Sequence, residues 1–322
     1  MAKSLDIIGD VHGQNLKLEE LLRRLGYRNT QGAWRHPDRE VRFVGDFIDR
    51  GPGQEETLII VRDMIEAGSA RAVMGNHELN AIGYATPDPE KPKNFLRIRG
   101  SKNNAQHRAF LDAVGVDSKK HKAWVDWFMT LPLWIDEGGI RLVHACWHPK
   151  SLEHLRPLVG ENNTLTSDLL VEAMKKGTSS YHAVEALCKG MEVSLPSGVN
   201  FTDQQGIVRS KTRTRWWDQD ARTYRSAALL PPEVSSALPD DPIPDETLCN
   251  YDNERLLFFG HYWMTGTPNI LSERICCVDY SAAKNNEPLV AYQFDGESEL
   301  DSKKLVAVGA PLTLTTLARI KP

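Results

Sequence analysis

The chain has 322 residues, 41% of them hydrophobic and 25% charged, too apolar for a disordered protein and long enough to bury a sizeable core. With 39 basic against 43 acidic residues the net charge is −4, so no overall electrostatic pull draws it to nucleic acid. Five cysteines, at 146, 188, 249, 276 and 277, form no C-x-x-C pair; this argues against a disulfide framework or a zinc knuckle and for a reducing compartment. The amino terminus enters an apolar run at Leu5 with no room for a signal peptide, and no stretch nears the ~18 apolar residues of a membrane span. The expectation is a cytoplasmic protein without a membrane partner.

Residues 5–8 are a short apolar run, and residues 15–25 carry Leu16, Leu18, Leu21, Leu22 and Leu25 at helical spacing. Residues 41–44 predict a second strand, 55–67 a second helix and 70–74 a third strand. Such alternation predicts a sheet with crossover helices. Each strand runs into a glycine: Gly9, Gly45 and Gly75. Residues 83–100, rich in Pro, Lys and Asn, predict a loop, and 119–129 a helix with Trp124, Val125 and Phe128 on one face. Residues 133–136 and 140–143 flank Glu137-Gly138-Gly139, which predicts a hairpin. Residues 150–250 read as an insertion of weak strand character, with a helix near 167–176 and an acidic, proline-bearing loop at 230–247. Strands return at 256–259, 275–279, 289–294 and 305–308. On such a strand the adjacent Cys276 and Cys277 predict one buried and one outward thiol. The whole predicts one sheet-based α/β domain, 1–322, carrying the 150–250 insertion.

Three polar motifs stand just past the first three strands: Gly9-Asp10-Val11-His12-Gly13, Gly45-Asp46-Phe47-Ile48-Asp49-Arg50-Gly51 and Gly75-Asn76-His77-Glu78. Open α/β sheets present their sites there. Asp, Asn and Gly are common turn residues, so any one motif alone could be a turn. Three in this order, each after a strand, point to a site. The set resembles the metallophosphoesterases, specifically the phosphoprotein phosphatase family, which includes protein Ser/Thr phosphatases and bacterial diadenosine tetraphosphatases. Two later histidines complete the pattern, His144 in Leu142-Val143-His144-Ala145 and His261 in Phe259-Gly260-His261. The resemblance implies the calcineurin-like metallophosphoesterase fold, a β-sandwich flanked by helices, and leaves the insertion outside the pattern.

Asp10, His12, Asp46, Asn76, His144 and His261 supply three imidazoles, two carboxylates and an amide. Mixed nitrogen and oxygen donors suit Mn, Fe, Zn, Co or Ni better than Mg or Ca, and six donors suit two ions. Two divalent ions acidify a bound water and so make a hydroxide nucleophile at neutral pH. The resemblance gives Asp10, His12 and Asp46 to one ion and Asp46, Asn76, His144 and His261 to the other, with Asp46 bridging and manganese as the first expectation. It also makes His77, held by Asp49, the general acid for the leaving group. Arg50, with its planar fork, suits two phosphate oxygens, and Asn76 is a second expected substrate contact. Residues 212–218 resemble the segment that brings another arginine to the phosphate, so Arg213 and Arg215 are both candidates. His148 is expected outside the metal shell, and His36, His107, His121, His154 and His182 lie outside any motif.

The leading expectation is a dinuclear-metal phosphoesterase that hydrolyses phosphate monoesters, with a phosphoprotein as the first substrate. The alternative is a diadenosine tetraphosphatase or another nucleotide or polyphosphate hydrolase. Two departures bear on that choice: Met74 stands where eukaryotic protein phosphatases carry Arg, and Ala145-Cys146 stand where two glycines are usual. A non-enzymatic alternative is an inactive metal-binding scaffold for a phosphorylated partner, but no member of the pattern is lost. A role at nucleic-acid ends is weakened by the balanced charge and by the absence of a G-x-x-x-x-G-K-[ST] loop.

Overall fold

The structure, a computed structural model, describes residues 4–202, 206–284 and 286–309. Short, largely apolar strands build two sheets that share a core. One has five strands in the order Leu305–Val308, Leu289–Phe294, Ser4–Ile8, Arg39–Phe43 and Ala70–Ala72. The last three run parallel, and Leu289–Phe294 is antiparallel to both its neighbours. The other has four strands, Ile275–Cys277, Leu256–Phe259, Ile140–Val143 and Trp134–Glu137, the first three parallel.

Side chains on a strand point alternately to its two faces, and the clusters separate accordingly. Leu5, Ile7, Tyr292 and Phe294 of the first sheet meet Ile140, Leu142, Leu256, Phe258 and Cys276 of the second, forming the interior of a sandwich. Their neighbours Ile8, Val41, Phe43, Val143, Leu257, Phe259 and Cys277 join a larger cluster with helical Leu18, Leu21, Leu22, Leu58, Val61, Leu152, Leu155, Val184 and Leu187. Each of these fully buried side chains contributes about 1.5–3 kcal/mol by leaving water. Because both faces of the second sheet are covered, Cys276 and Cys277 are both buried, and the expected outward thiol does not exist. All five cysteines are buried and unpaired by disulfides.

The expected strands and the helices Asn15–Arg24, Gln54–Glu66, Lys119–Phe128 and Ser167–Met174 are present. The 137–139 hairpin closes with Glu137 opposite Ile140 and with Gly138 and Gly139 both at positive φ, as a tight two-residue turn requires. The segment 150–250 packs in two parts. Helix Ser179–Lys189, unanticipated in the sequence, puts Val184 and Leu187 into the main core, and the Ala145 N–H donates to the Leu187 carbonyl at 2.8 Å. Beyond it the chain also forms small cores of its own, such as Leu195, Ala228, Leu230 and Leu238, while Trp216, Cys249 and Tyr251 still join the main core. Among the described residues no helix is long and apolar enough to cross a membrane.

Candidate functional site

The loops that follow the parallel strands of both sheets meet at one end of the sandwich. Their approach is too close for side chains at the leading glycines. A Cβ on Gly260 would fall 2.0 Å from Asp10 Oδ1. At Gly45, where φ is +101°, it would lie 2.5 Å from the Gly75 nitrogen and 3.1 Å from His144 Nδ1, so glycine alone lets these loops touch. Strain is concentrated here: His12, Asp46, Asp49, Arg50, His261 and Trp263 all sit at positive φ, between 48° and 70°.

Glu78 holds the arrangement together. Fully buried in the first turn of helix Asn76–Ala85, it accepts the N–H groups of Asp46 (2.9 Å), Phe47 (2.8 Å) and Gly75 (3.0 Å), tying two loops to one carboxylate. Burial and the charge of Asp46 push its pKa up to about 7. The histidines are oriented from behind: His144 Nδ1 donates to the Val44 carbonyl at 2.7 Å and His12 Nδ1 to that of Ile48 at 2.8 Å. Each ring then turns the lone pair of Nε2 inward. These atoms lie 3.4 Å and 3.5 Å from Asp46 Oδ2.

The donors form two groups, His12–Asp46–His77 and Asp46–His144–His261, the ligand atoms of each lying within 4.8 Å of one another. Asp46 belongs to both. Asn76 Oδ1 is 3.3 Å from His144 Nε2, beside the second group. In the first group His77 occupies the place the resemblance gave to Asp10. Asp10 Oδ2 accepts the His261 N–H at 3.1 Å, and its Oδ1 is buried without a hydrogen-bond partner. His12 Nε2 and both ring nitrogens of His261 are also buried without one. Buried polar atoms are rarely left so. Burial, then the charges of Asp279 and Asp46, drive the Asp10 pKa well up. Divalent cations would satisfy these lone pairs and offset the clustered negative charge, so the residues fit a metal pair.

Beside the donors stands a second unit. His77 Nδ1 donates to Asp49 Oδ2 at 2.6 Å, and His107 Nδ1 donates to both oxygens of the same carboxylate, at 2.9 and 3.1 Å. Burial disfavours the Asp49 charge, yet the hydrogen bonds from His107 and His77 outweigh it and hold the pKa below the usual range. For His77 burial is likewise overcome, by Asp46 and Asp49, and the imidazolium is favoured. His107 has no sequence signal. It sits where helix Ser101–Gln106 breaks before Arg108–Val114, packed on Tyr84 and Phe110, and only that packing brings it to Asp49.

Arg50 is exposed at the mouth, its guanidinium 3.9 Å over the ring of Trp263. Arg213 reaches the same mouth, donating to the His261 carbonyl at 3.0 Å. Arg215 is placed differently. The strand ends at Arg213, and Arg215 opens a turn closed by the Asp218 N–H, so it faces a shallow groove with Asp218 and Arg222. His148 caps helix Pro149–Leu155, accepting the Ser151 N–H at 3.3 Å.

With this geometry in place, the calcineurin-like phosphoesterase family model matches residues 4–262. The chain belongs to this family. Among its relatives, the asymmetrical bis(5'-nucleosyl)-tetraphosphatase PrpE of Oceanobacillus iheyensis is 32% identical over 152 residues, 47% of this chain and 58% of that protein. The chain thus spans less than two thirds of that relative's length. A symmetrical bis(5'-nucleosyl)-tetraphosphatase of Aromatoleum aromaticum is 28% identical over 282 residues, 84% of this chain and 88% of the relative. Among solved structures, a protein serine/threonine phosphatase of Saccharomyces cerevisiae shares 14% identity at a TM-score of 0.48, over 95% of this chain and 79% of that one.

Proposed function

We propose that this calcineurin-like phosphoesterase is a metal-dependent hydrolase of dinucleoside polyphosphates that splits a tetraphosphate bridge symmetrically into two nucleoside diphosphates. This takes the place of the phosphoprotein reading. The carrying observation is the similarity to a symmetrical bis(5'-nucleosyl)-tetraphosphatase over 84% of this chain and 88% of the relative, because it extends well beyond the ligand motifs.

In this proposal Asp46, His12 and Asp10 hold one divalent ion, and Asp46, Asn76, His144 and His261 the other. Divalent ions held there supply Lewis acidity to the phosphoryl oxygens and to water. Arg50 binds the scissile phosphoryl group through its planar fork, with Arg213 beside it. His77 carries a proton on Nε2 for the departing oxygen; its Nδ1–H is fixed by Asp49, and Asp49 by His107. The ring is therefore aimed before substrate arrives. Retention of both His77 and Asp49 also favours an enzyme over an inactive scaffold.

The test is a panel of diadenosine tetraphosphate, mononucleotides, phosphopeptides and phosphorylated DNA ends, assayed with metal-reconstituted protein and with product analysis. ADP as the sole product, with kcat/KM highest on the dinucleotide, is the expected result. A higher kcat/KM on phosphopeptides would restore the phosphoprotein reading, and ATP plus AMP would replace symmetrical with asymmetrical scission.

A further inference from the structure

Trp263 lies two residues after His261, with a half-buried side chain and a left-handed backbone (φ 52°) that a bulky residue rarely adopts. Asp279 holds it there. This buried carboxylate accepts the Trp263 N–H at 2.7 Å and the Ser281 N–H at 2.9 Å, while its own carbonyl accepts the Met264 N–H at 2.9 Å. The indole is thus a fixed plate at the mouth of the site.

Three cations gather on that plate. The Arg50 guanidinium is 3.9 Å from the ring centroid, the Lys284 ammonium 4.2 Å and the Arg213 guanidinium 6.0 Å. Cation–π attraction helps to hold each, but like charges brought this close repel one another. Burial, then the Arg50 charge and more weakly that of Arg213, press the Lys284 ammonium toward its neutral form, while the buried Asp279 and then Glu287 act the other way. An anion bound beside these cations would offset that repulsion. Arg50 and Lys284 both stand within 4.2 Å of the same ring, so a chain of phosphates whose scissile group sits on Arg50 lies beside the plate that carries Lys284.

We propose that Lys284, seated on Trp263, is a second-phosphate site that binds the phosphoryl group next to the scissile one and so selects polyphosphate chains over simple monoesters. The proposal rests on the dinucleoside polyphosphate reading and names the residue that distinguishes that substrate class.

The experiment compares kcat/KM on diadenosine tetraphosphate and on p-nitrophenyl phosphate for the wild-type, Lys284→Gln and Lys284→Arg proteins, each loaded with metal. Losing one charge-assisted contact should lower the ratio of the two by about ten-fold in Lys284→Gln, with most of it restored in Lys284→Arg. An unchanged ratio, or a parallel fall on both substrates, overturns the site. If the wild-type protein leaves diadenosine tetraphosphate intact, the functional reading fails by itself. The site is then judged from pyrophosphate and orthophosphate as inhibitors of p-nitrophenyl phosphate hydrolysis, with metal in excess. A wild-type preference for pyrophosphate that shrinks about ten-fold in Lys284→Gln supports it, and an equal preference in both proteins overturns it.

Discussion

On the floor of the site, Asp10, His12, Asp46, His144 and His261 are each at most 5% exposed, whereas at its mouth Arg50 is open to solvent and Arg213, Trp263 and Lys284 are half-buried. The floor hangs directly on strand ends. Its donors are fixed by backbone carbonyls of Val44 and Ile48, by backbone N–H groups and by Glu78, so their positions follow from the sheets. The mouth hangs on loops held by Asp279 and by stacking on one indole. Loops tolerate change that sheet ends do not, so the mouth is the freer of the two to vary.

The largest effect should come from breaking the floor. If Asp46 is shared by two ions, Asp46→Asn removes the common negative charge, and metal content and turnover should fall together by orders of magnitude. Elemental analysis of the purified variant, run beside its activity assay, checks this. Full activity with one ion per chain in the wild-type protein would defeat the dinuclear assignment.

His77 stands between floor and mouth, and its substitution separates two roles. As a general acid, His77→Asn should keep both metals and slow alkyl phosphates by roughly 10²–10⁴-fold, while an aryl phosphate with an acidic phenol loses much less. Loss of metal would instead place His77 among the ligands, consistent with its position beside His12 and Asp46.

His107 should show a smaller version of the same pattern. His107→Leu removes one of the two imidazole donors to Asp49 and should cost roughly ten-fold or more, again mostly on alkyl phosphates. His107→Asn can place an amide N–H near the former Nδ1 and should recover much of the loss. Equal losses on alkyl and aryl substrates would make His107 a packing residue only.

Far from both regions, the smallest effect belongs to Asp295, whose carboxylate receives hydrogen bonds from Arg39 and Lys304. Burial raises its pKa, but these donors together outweigh it and bring the value to about 2. The folded value lies below the ordinary value of about 3.9, so the stabilisation is present above that value and lost as pH falls through 2. Half-exposed and screened, the interaction should contribute under about 1 kcal/mol. Melting curves of Asp295→Asn should sit slightly below wild type at pH 7 and converge with it near pH 2.

The sequence by itself determined the strands of both sheets and the family, because short apolar runs ending in Gly-Asp, Gly-Asn and Gly-His carry the backbone requirement and the ligand chemistry in adjacent residues. It also singled out Asp10, His12, Asp46, Asn76, His144 and His261, which the fold gathers at one end of the sandwich. Tertiary structure alone decided which residues support them. His107 reaches Asp49 across 58 positions, and Asp279 and Lys284 come to Trp263 from another strand end, with no periodicity to mark them. It also decided between two arginines two residues apart, sending Arg213 to His261 and leaving Arg215 in a turn. The physical reason is range: backbone preference and strand pairing act on neighbours and leave a local pattern, whereas a shared carboxylate or a common aromatic ring is assembled only when distant loops pack together.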